Sequence, residues 1–182
     1  VKGEVRWTKE LTQEAGVNMP TWGFSGSALV IDDLVIVEAG RTMAFHRVTG
    51  EQVWQTEAFR AGYSSPISFR HPTTGQSLIA SLNNDQLLIL QSEDGQELDR
   101  YPFETQYATT ACTPVIVDDT IFLSSGYDRG CLLLRLEDDQ LVLIYDNKNM
   151  RNHMNSCVLH DGYLYGVDGN SHKRRLGLLK CI

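Results

Sequence analysis

The chain has 182 residues, 42% hydrophobic and 21% charged, enough for one sizeable core or an array of small ones. A formal charge of −7 argues against a nucleic-acid or anionic-membrane partner, whose phosphates would be repelled. Five prolines and no low-complexity run argue against disorder, and no apolar stretch approaches the roughly 20 residues that a membrane-spanning helix needs.

The opening, VKGEVRWTKEL, reads as a strand at residues 3–8 rather than as a signal peptide. Its turn, Gly3-Glu4-Val5-Arg6-Trp7, is echoed at Gly50-Glu51-Gln52-Val53-Trp54 and more weakly at Gly95-Gln96-Glu97-Leu98. Each echo leads into a strand with a large apolar residue, so the chain opens on what looks like the outer strand of a repeat. Three full units follow, each of four short strands. The first, residues 22–57, predicts strands near Ser25–Ile31, Leu34–Glu38, Thr42–Arg47 and Glu51–Thr56. The second, 62–104, predicts Ser64–Arg70, Ser77–Leu82, Gln86–Gln91 and Glu97–Phe103. The third, 110–146, predicts Pro114–Val117, Thr120–Ser124, Cys131–Leu136 and Leu141–Tyr145. An incomplete fourth unit, 153–182, stops at Leu178–Ile182 without an outer strand.

Turn chemistry supports the register. Asp32-Asp33, Asp118-Asp119 and Asp161-Gly162 all fall between first and second strands, where a tight hairpin wants residues tolerant of positive φ. Pro114 and Cys157 stand 43 positions apart in aligned units, and Pro66 and Pro114 stand 48 apart. Four strands at that period, apolar on both faces, predict an all-β fold: a β-propeller of four-stranded antiparallel blades with about four repeats present. The ring is partial, or it is a small one that the strand at 3–8 closes by joining the last blade. A partial ring leaves an apolar blade face open, where a homodimer could complete a larger ring.

In a propeller, the connections between blades share one face with the loops joining second to third strands. Here that face carries residues 15–22, 57–62, 104–111 and 147–153 together with Gly40–Arg41, Asn83–Asp85, Ser125–Gly130 and Asp168–Arg175. Apart from the loop at 70–76, the opposite face has minimal turns. Long loops rich in Asn, Arg, Tyr and His are where such scaffolds bind partners. The candidate binding residues are Trp22, Arg41, Asn83, Asp85, Tyr127, Asp128, Arg129, Asn149, Arg151, Asn152 and His153. The competing reading is that these loops cap the blades and hydrogen-bond one another, with Asp128 and Arg129 pairing locally. The basic run Lys173-Arg174-Arg175 reads as a solvated tip.

Other constellations read as structural. His153, Cys157 and His160 have a metal-like spacing, but on a strand 153 and 157 share a face that 160 does not. Cys112, Cys131, Cys157 and Cys181 are widely spaced and read as buried, unpaired thiols. Trp7 and Trp54 occupy equivalent positions and predict packing between blades, as do Tyr163 and Tyr165. Ser64-Ser65 and Thr109-Thr110 precede inner strands and are expected to line the central channel. No spacing suggests a Ser–His–acid triad, and there is no phosphate-binding glycine loop.

The GE-x-x-W and TGE-x-x-W turns, the PVIVDDTIFL strand pair and the run NMRNHMNSCVLHDGYLYGVDGN resemble the pyrroloquinoline-quinone-like (PQQ-like) propeller repeat. That repeat occurs in quinoprotein dehydrogenases and in the BamB lipoprotein, and this chain looks most like secreted bacterial members. The resemblance implies a parent ring of about seven or eight blades, exported to the periplasm or beyond. It implies a non-catalytic module that binds a protein or carbohydrate through the loop-rich face. The alternative is a fragment of a PQQ- and calcium-dependent dehydrogenase acting on an alcohol or sugar. The vicinal cysteine pair of those enzymes has no counterpart here, and no calcium ligand set can be assigned, so no cofactor is expected from these residues.

Overall fold

The computed structural model describes residues 2–169 and 177–182. A single short helix, α1 (Leu11–Ala15), precedes fifteen strands among the described residues. Blade 1 comprises β1 (Leu29–Ile31), β2 (Leu34–Glu38), β3 (Thr42–His46) and β4 (Gln52–Gln55). Blade 2 comprises β5 (Ile67–Arg70), β6 (Ser77–Leu82), β7 (Gln86–Gln91) and β8 (Glu97–Pro102). Blade 3 comprises β9 (Val115–Val117), β10 (Thr120–Ser125), β11 (Gly130–Glu137) and β12 (Gln140–Asn147), and blade 4 comprises β13 (Val158–His160), β14 (Tyr163–Asp168) and β15 (Leu178–Cys181). Strands follow chain order within every antiparallel sheet, four in blades 1–3 and three in blade 4. The all-β propeller expectation holds.

The turn aspartates behave as their chemistry requires. Asp32, Asp118 and Asp161 sit at φ 50°, 51° and 49°, the left-handed region that short polar residues tolerate. Each complete blade also has a register shift between its third and fourth strands, adding local twist where the outer strand must swing away from the axis.

Inner strands are shorter than the sequence suggests. Their first residues reach sideways to the next blade instead of joining the ladder. The Ser27 amide donates to Ser65 Oγ (2.8 Å), the Thr113 amide to Ser156 Oγ (2.9 Å), and Ser64 Oγ to the Cys112 carbonyl (3.0 Å). Ser64, Thr109 and Thr110 are accordingly buried between blades rather than lining a channel.

Blade contacts repeat as well. Trp54 leaves blade 1 to lie against the turn of blade 2, where its indole N–H donates to the Ser92 carbonyl (3.1 Å). Gly95, at φ +73°, makes room: a Cβ there would sit 2.5 Å from the indole ring. Trp7 repeats the arrangement on blade 1, donating to the Arg47 carbonyl (3.0 Å) and lying over Gly50. At the next equivalent position stands Asp99, whose carboxylate accepts from the Leu141 amide of blade 3 (2.6 Å). The largest core joins blades 2 and 3 through Leu78, Leu82, Ile89, Phe103, Leu123 and Leu134.

The ends depart from expectation. Residues 3–8 are not a strand and belong to none of the sheets of the described residues. Nor do they join β15, so the N-terminal segment does not close the ring, and the propeller is partial. Instead α1 and its flanks cover the outward side of blade 1, Leu11, Ala15, Val17 and Phe24 packing on Met43 and Phe45. The sequence reading did not foresee this helix. Its signals are Glu10, whose side chain accepts from the Thr12 and Gln13 amides, and Gly16 in the left-handed conformation at its end. The far side of blade 4 is bare: Val158, Tyr163, Tyr165, Val167 and Leu179 are exposed. Tyr163 and Tyr165 therefore do not pack between blades as expected among the described residues. Cys112, Cys131 and Cys157 are buried free thiols, whereas Cys181 on the edge strand is exposed.

Candidate functional site

The loop-rich face holds all the candidate residues and separates them into two kinds. Most are committed to the protein itself. Arg41 donates to the Ala15 carbonyl (2.7 Å) and the Thr56 carbonyl (2.6 Å). Asn83 closes its own turn by accepting from the Asp85 and Gln86 amides, and Asp85 pairs with Arg60. Arg129 makes two bonds to Asp146 and stacks over the buried Phe103 at 4.4 Å. Asn149 donates to the Asn147 side chain through its amide and accepts Lys180 at its carbonyl. Asn152 is buried, donating to the Val167 carbonyl and accepting from the Cys157 thiol.

A charged chain crosses from blade 3 to blade 4. Lys148 and Arg151 both pair with Asp128, and Arg151 and Lys180 both pair with the buried Asp168. Burial pushes the Asp168 carboxyl up, but the two cations outweigh it and hold the group below its usual range. Asp128 and Arg129 pair with residues of other segments, Asp128 with Lys148 and Arg151 and Arg129 with Asp146. Lys173-Arg174-Arg175 lies outside the described residues.

The second kind, Trp22, Tyr127 and His153, is marked by ring contacts. They fall on an aromatic stripe with Tyr63 and Tyr107, which sequence reasoning missed. Trp22 is 60% exposed and its ring centre lies 5.6 Å from that of Tyr63. Tyr107 meets Tyr127 at 5.0 Å, and Tyr127 meets His153 edge-on at 4.7 Å. Tyr107 and Tyr127 both have left-handed backbone, φ 68° and 51°, a conformation that bulky residues rarely adopt and that costs on the order of 1 kcal/mol each. A strained backbone thus holds Tyr107 exposed at the surface and Tyr127 half-buried beside it. A retrospective signal exists: Tyr63, Tyr107 and Tyr127 all lie in inter-strand segments rather than at strand positions.

Trp22, Tyr63 and Tyr107 border a groove of about 430 Å³, with Met19, Phe59 and Asn84 among its other walls. None of its lining residues lies in a strand. The segment 59–63 forms one wall and every residue of it is tied down. The Phe59 amide donates to the Gly40 carbonyl and the Tyr63 amide to the Thr110 carbonyl. The Arg60 carbonyl accepts from the Asn84 amide, the Ala61 carbonyl from the Asn84 side chain, and the Gly62 amide donates to Glu38. A wider hollow of about 800 Å³ opens on the opposite face beside Phe69, His71 and Ile116. Two of its polar groups are already engaged, His71 with Asp139 (2.8 Å) and Asp119 with Arg135 (3.3 Å).

Glu38 is buried, and its carboxylate accepts from the Gly40 amide (2.8 Å) and the Gly62 amide (3.0 Å). Burial outweighs these bonds and pushes its pKa up to about 7. Burial likewise raises the Cys112 thiol to about 12 and the Cys157 thiol to about 11, so both stay protonated. His160 points to solvent at the outer turn of blade 4, away from Cys157. Among the described residues, no three His, Cys, Asp or Glu side chains come together to hold a metal ion.

The chain matches, over residues 1–177, the family profile described as outer membrane protein assembly factor BamB, a PQQ-repeat family. It belongs to this family. Solved structures agree on the fold. BamB from Moraxella catarrhalis superposes with a TM-score of 0.56 at 15% identity, over 79% of this chain and 46% of that one. The computationally designed Ika4 protein gives 0.57 at 12% identity, over 97% and 98%. A europium-containing methanol dehydrogenase gives 0.51 at 14% identity, over 71% and 25%. The chain thus spans about half the length of the Moraxella BamB and a quarter of the dehydrogenase. No curated protein matches it. As a BamB-family propeller, the chain shares its architecture with binding and catalytic proteins alike.

Proposed function

We propose that this chain is a non-catalytic propeller module that binds a protein partner across the aromatic groove of its loop-rich face. The aromatic stripe carries the reading, above all Trp22 and Tyr107, both exposed, with Tyr107 held there by strained backbone. Rigid amphipathic rings supply contact area at small entropic cost. Arg60 is taken by Asp85 and both ends of the Asn84 amide are used, so the groove offers chiefly aromatic and apolar contact, which supports a protein partner. The family description, an assembly factor for outer membrane proteins, agrees with a protein partner and with a periplasmic location. No helix among the described residues is long and apolar enough to cross a membrane.

A phage-displayed peptide library panned on the chain, beside a glycan array, tests the reading. Peptides should be enriched, and Trp22→Ala or Tyr107→Ala should weaken their binding at least tenfold with little change in melting temperature. Selective retention of glycans, or peptide binding indifferent to both substitutions, would sink it.

The dehydrogenase alternative shares the fold, and the carboxylates of this face lend it less support. Asp85, Asp128, Asp146 and Asp168 on this face are each held by Arg or Lys rather than gathered around a cation site. A rise in melting temperature with added PQQ and calcium would reverse the preference. The bare face of blade 4 supports a homodimer that completes a larger ring. Light scattering tests this, since a mass that stays at 20.5 kDa at high concentration would rule the dimer out.

A further inference from the structure

The groove wall at 59–63 is fastened to blade 1 through an uncommon anchor. Glu38, at the end of β2, bridges the Gly40 turn and Gly62 with its two carboxylate oxygens. Gly62 is in turn pressed against blade 2, where a Cβ would lie 3.0 Å from Asn83 Cα and 3.1 Å from the Leu82 carbonyl oxygen. The carboxylate is therefore clamped at a point where blade 1, the connection and blade 2 meet. Among the described residues it has no ion pair. The charged groups on neighbouring elements are committed elsewhere: Arg41 to the Ala15 and Thr56 carbonyls, Arg60 to Asp85, Glu57 to Arg100, and Glu14 to Lys9. Two amide hydrogen bonds are all that offsets the burial of a full negative charge here.

We propose that Glu38 is a proton-controlled latch on the groove wall: the protonated carboxyl sits comfortably in the closed arrangement, and its ionisation favours release of residues 59–63 into a hydrated, open one. The direction follows from linkage. The closed state holds the proton more tightly than a solvated carboxyl does, its pKa being raised from 4.5 to about 7. Removing the proton must therefore shift the balance toward any state that hydrates the group. Phe59, Arg60, Ala61 and Tyr63 line the groove, so the device would make groove geometry depend on pH around neutrality. The inference rests on the binding reading for its biological meaning but not for its test.

Amide hydrogen exchange, followed by NMR on the intact chain at pH 6 and pH 8 and corrected for intrinsic exchange, decides the matter without any ligand. At Phe59, Gly62 and Tyr63 the opening equilibrium should increase about tenfold between the two conditions. Core amides of β7 such as Leu88 and Ile89 open only with the whole fold and should stay far better protected than the wall at both pH values. In Glu38→Gln, neutral at both pH values, the local increase should vanish. If that variant does not fold, the comparison of wall and core amides within the wild type still decides. Wall amides that open only together with the core at pH 8, or no change at the wall, would overturn the latch. Peptide panning at both pH values separates the two proposals. Exchange that responds to pH with no peptide bound at either value leaves the latch standing and removes the binding reading.

Discussion

Replacing Trp54 with alanine is expected to lower the unfolding free energy by about 3–5 kcal/mol, the usual cost of removing a large aromatic from a packed core. For a chain of this size that corresponds to a fall in melting temperature of roughly 10 °C or more. Trp54 is nearly buried among Ile36, Ala44, Ile79, Leu88 and Leu90, and it fills the space above Gly95 that no side chain could share. Its indole also satisfies the Ser92 carbonyl, so Trp54→Phe should cost about 1 kcal/mol through that hydrogen bond alone. Trp7 makes the same contacts on blade 1, yet it belongs to an unpaired segment and is only half buried. Trp7→Ala should therefore cost much less. Thermal denaturation of the three variants checks the order, and equal losses for Trp7→Ala and Trp54→Ala would contradict this account of the interface.

The second large effect is a pH dependence of stability. Glu38 titrates near 4.5 when unfolded and near 7 when folded. The folded chain binds that proton more tightly, so its contribution is fully present below pH 4.5 and is lost as pH rises through 7. The amount is about 3 kcal/mol, from the size of the shift. Other carboxylates such as Asp168, held below its usual range, act in the opposite sense, so the raw stability curve mixes both. The difference between wild type and Glu38→Gln isolates the one group. Measured by urea unfolding from pH 5 to pH 8, the stability of the wild type relative to the variant should fall across the range by most of that amount. A difference that stays level would place the carboxyl in water rather than in the core.

Loop placement was more legible in the sequence than side-chain pairing. Loop lengths alone located the face that carries the groove, because propeller connectivity forces inter-blade connections and second-to-third turns to one side. Choosing residues by chemical type then favoured Arg41, Asp85, Asp128, Arg129 and Arg151, all of which proved to be engaged within the chain. Charged side chains near a low-dielectric surface find one another first, and a sequence does not show which distant segment supplies the partner. Tyr63 and Tyr107 were overlooked for the converse reason. An aromatic residue in a loop reads as ordinary packing until its backbone angle and exposure are known.

Local chemistry repeated at a fixed period was enough to determine the blade, its four strands and their order. Aspartate turns, glycine turns and runs of β-branched residues act within a few positions of one another, and several strand bounds, such as Leu34–Glu38 and Ser77–Leu82, were legible to the residue. The tertiary structure alone decided what happens where a repeat meets something unlike itself. Among the described residues, no neighbour offers residues 3–8 a ladder and no blade covers Tyr163 and Tyr165. The Glu38 carboxyl is raised because the connection between blades 1 and 2 shuts it from water. Each of these depends on contacts between segments that pattern does not encode, since burial and pairing belong to the assembled chain and not to any stretch of it.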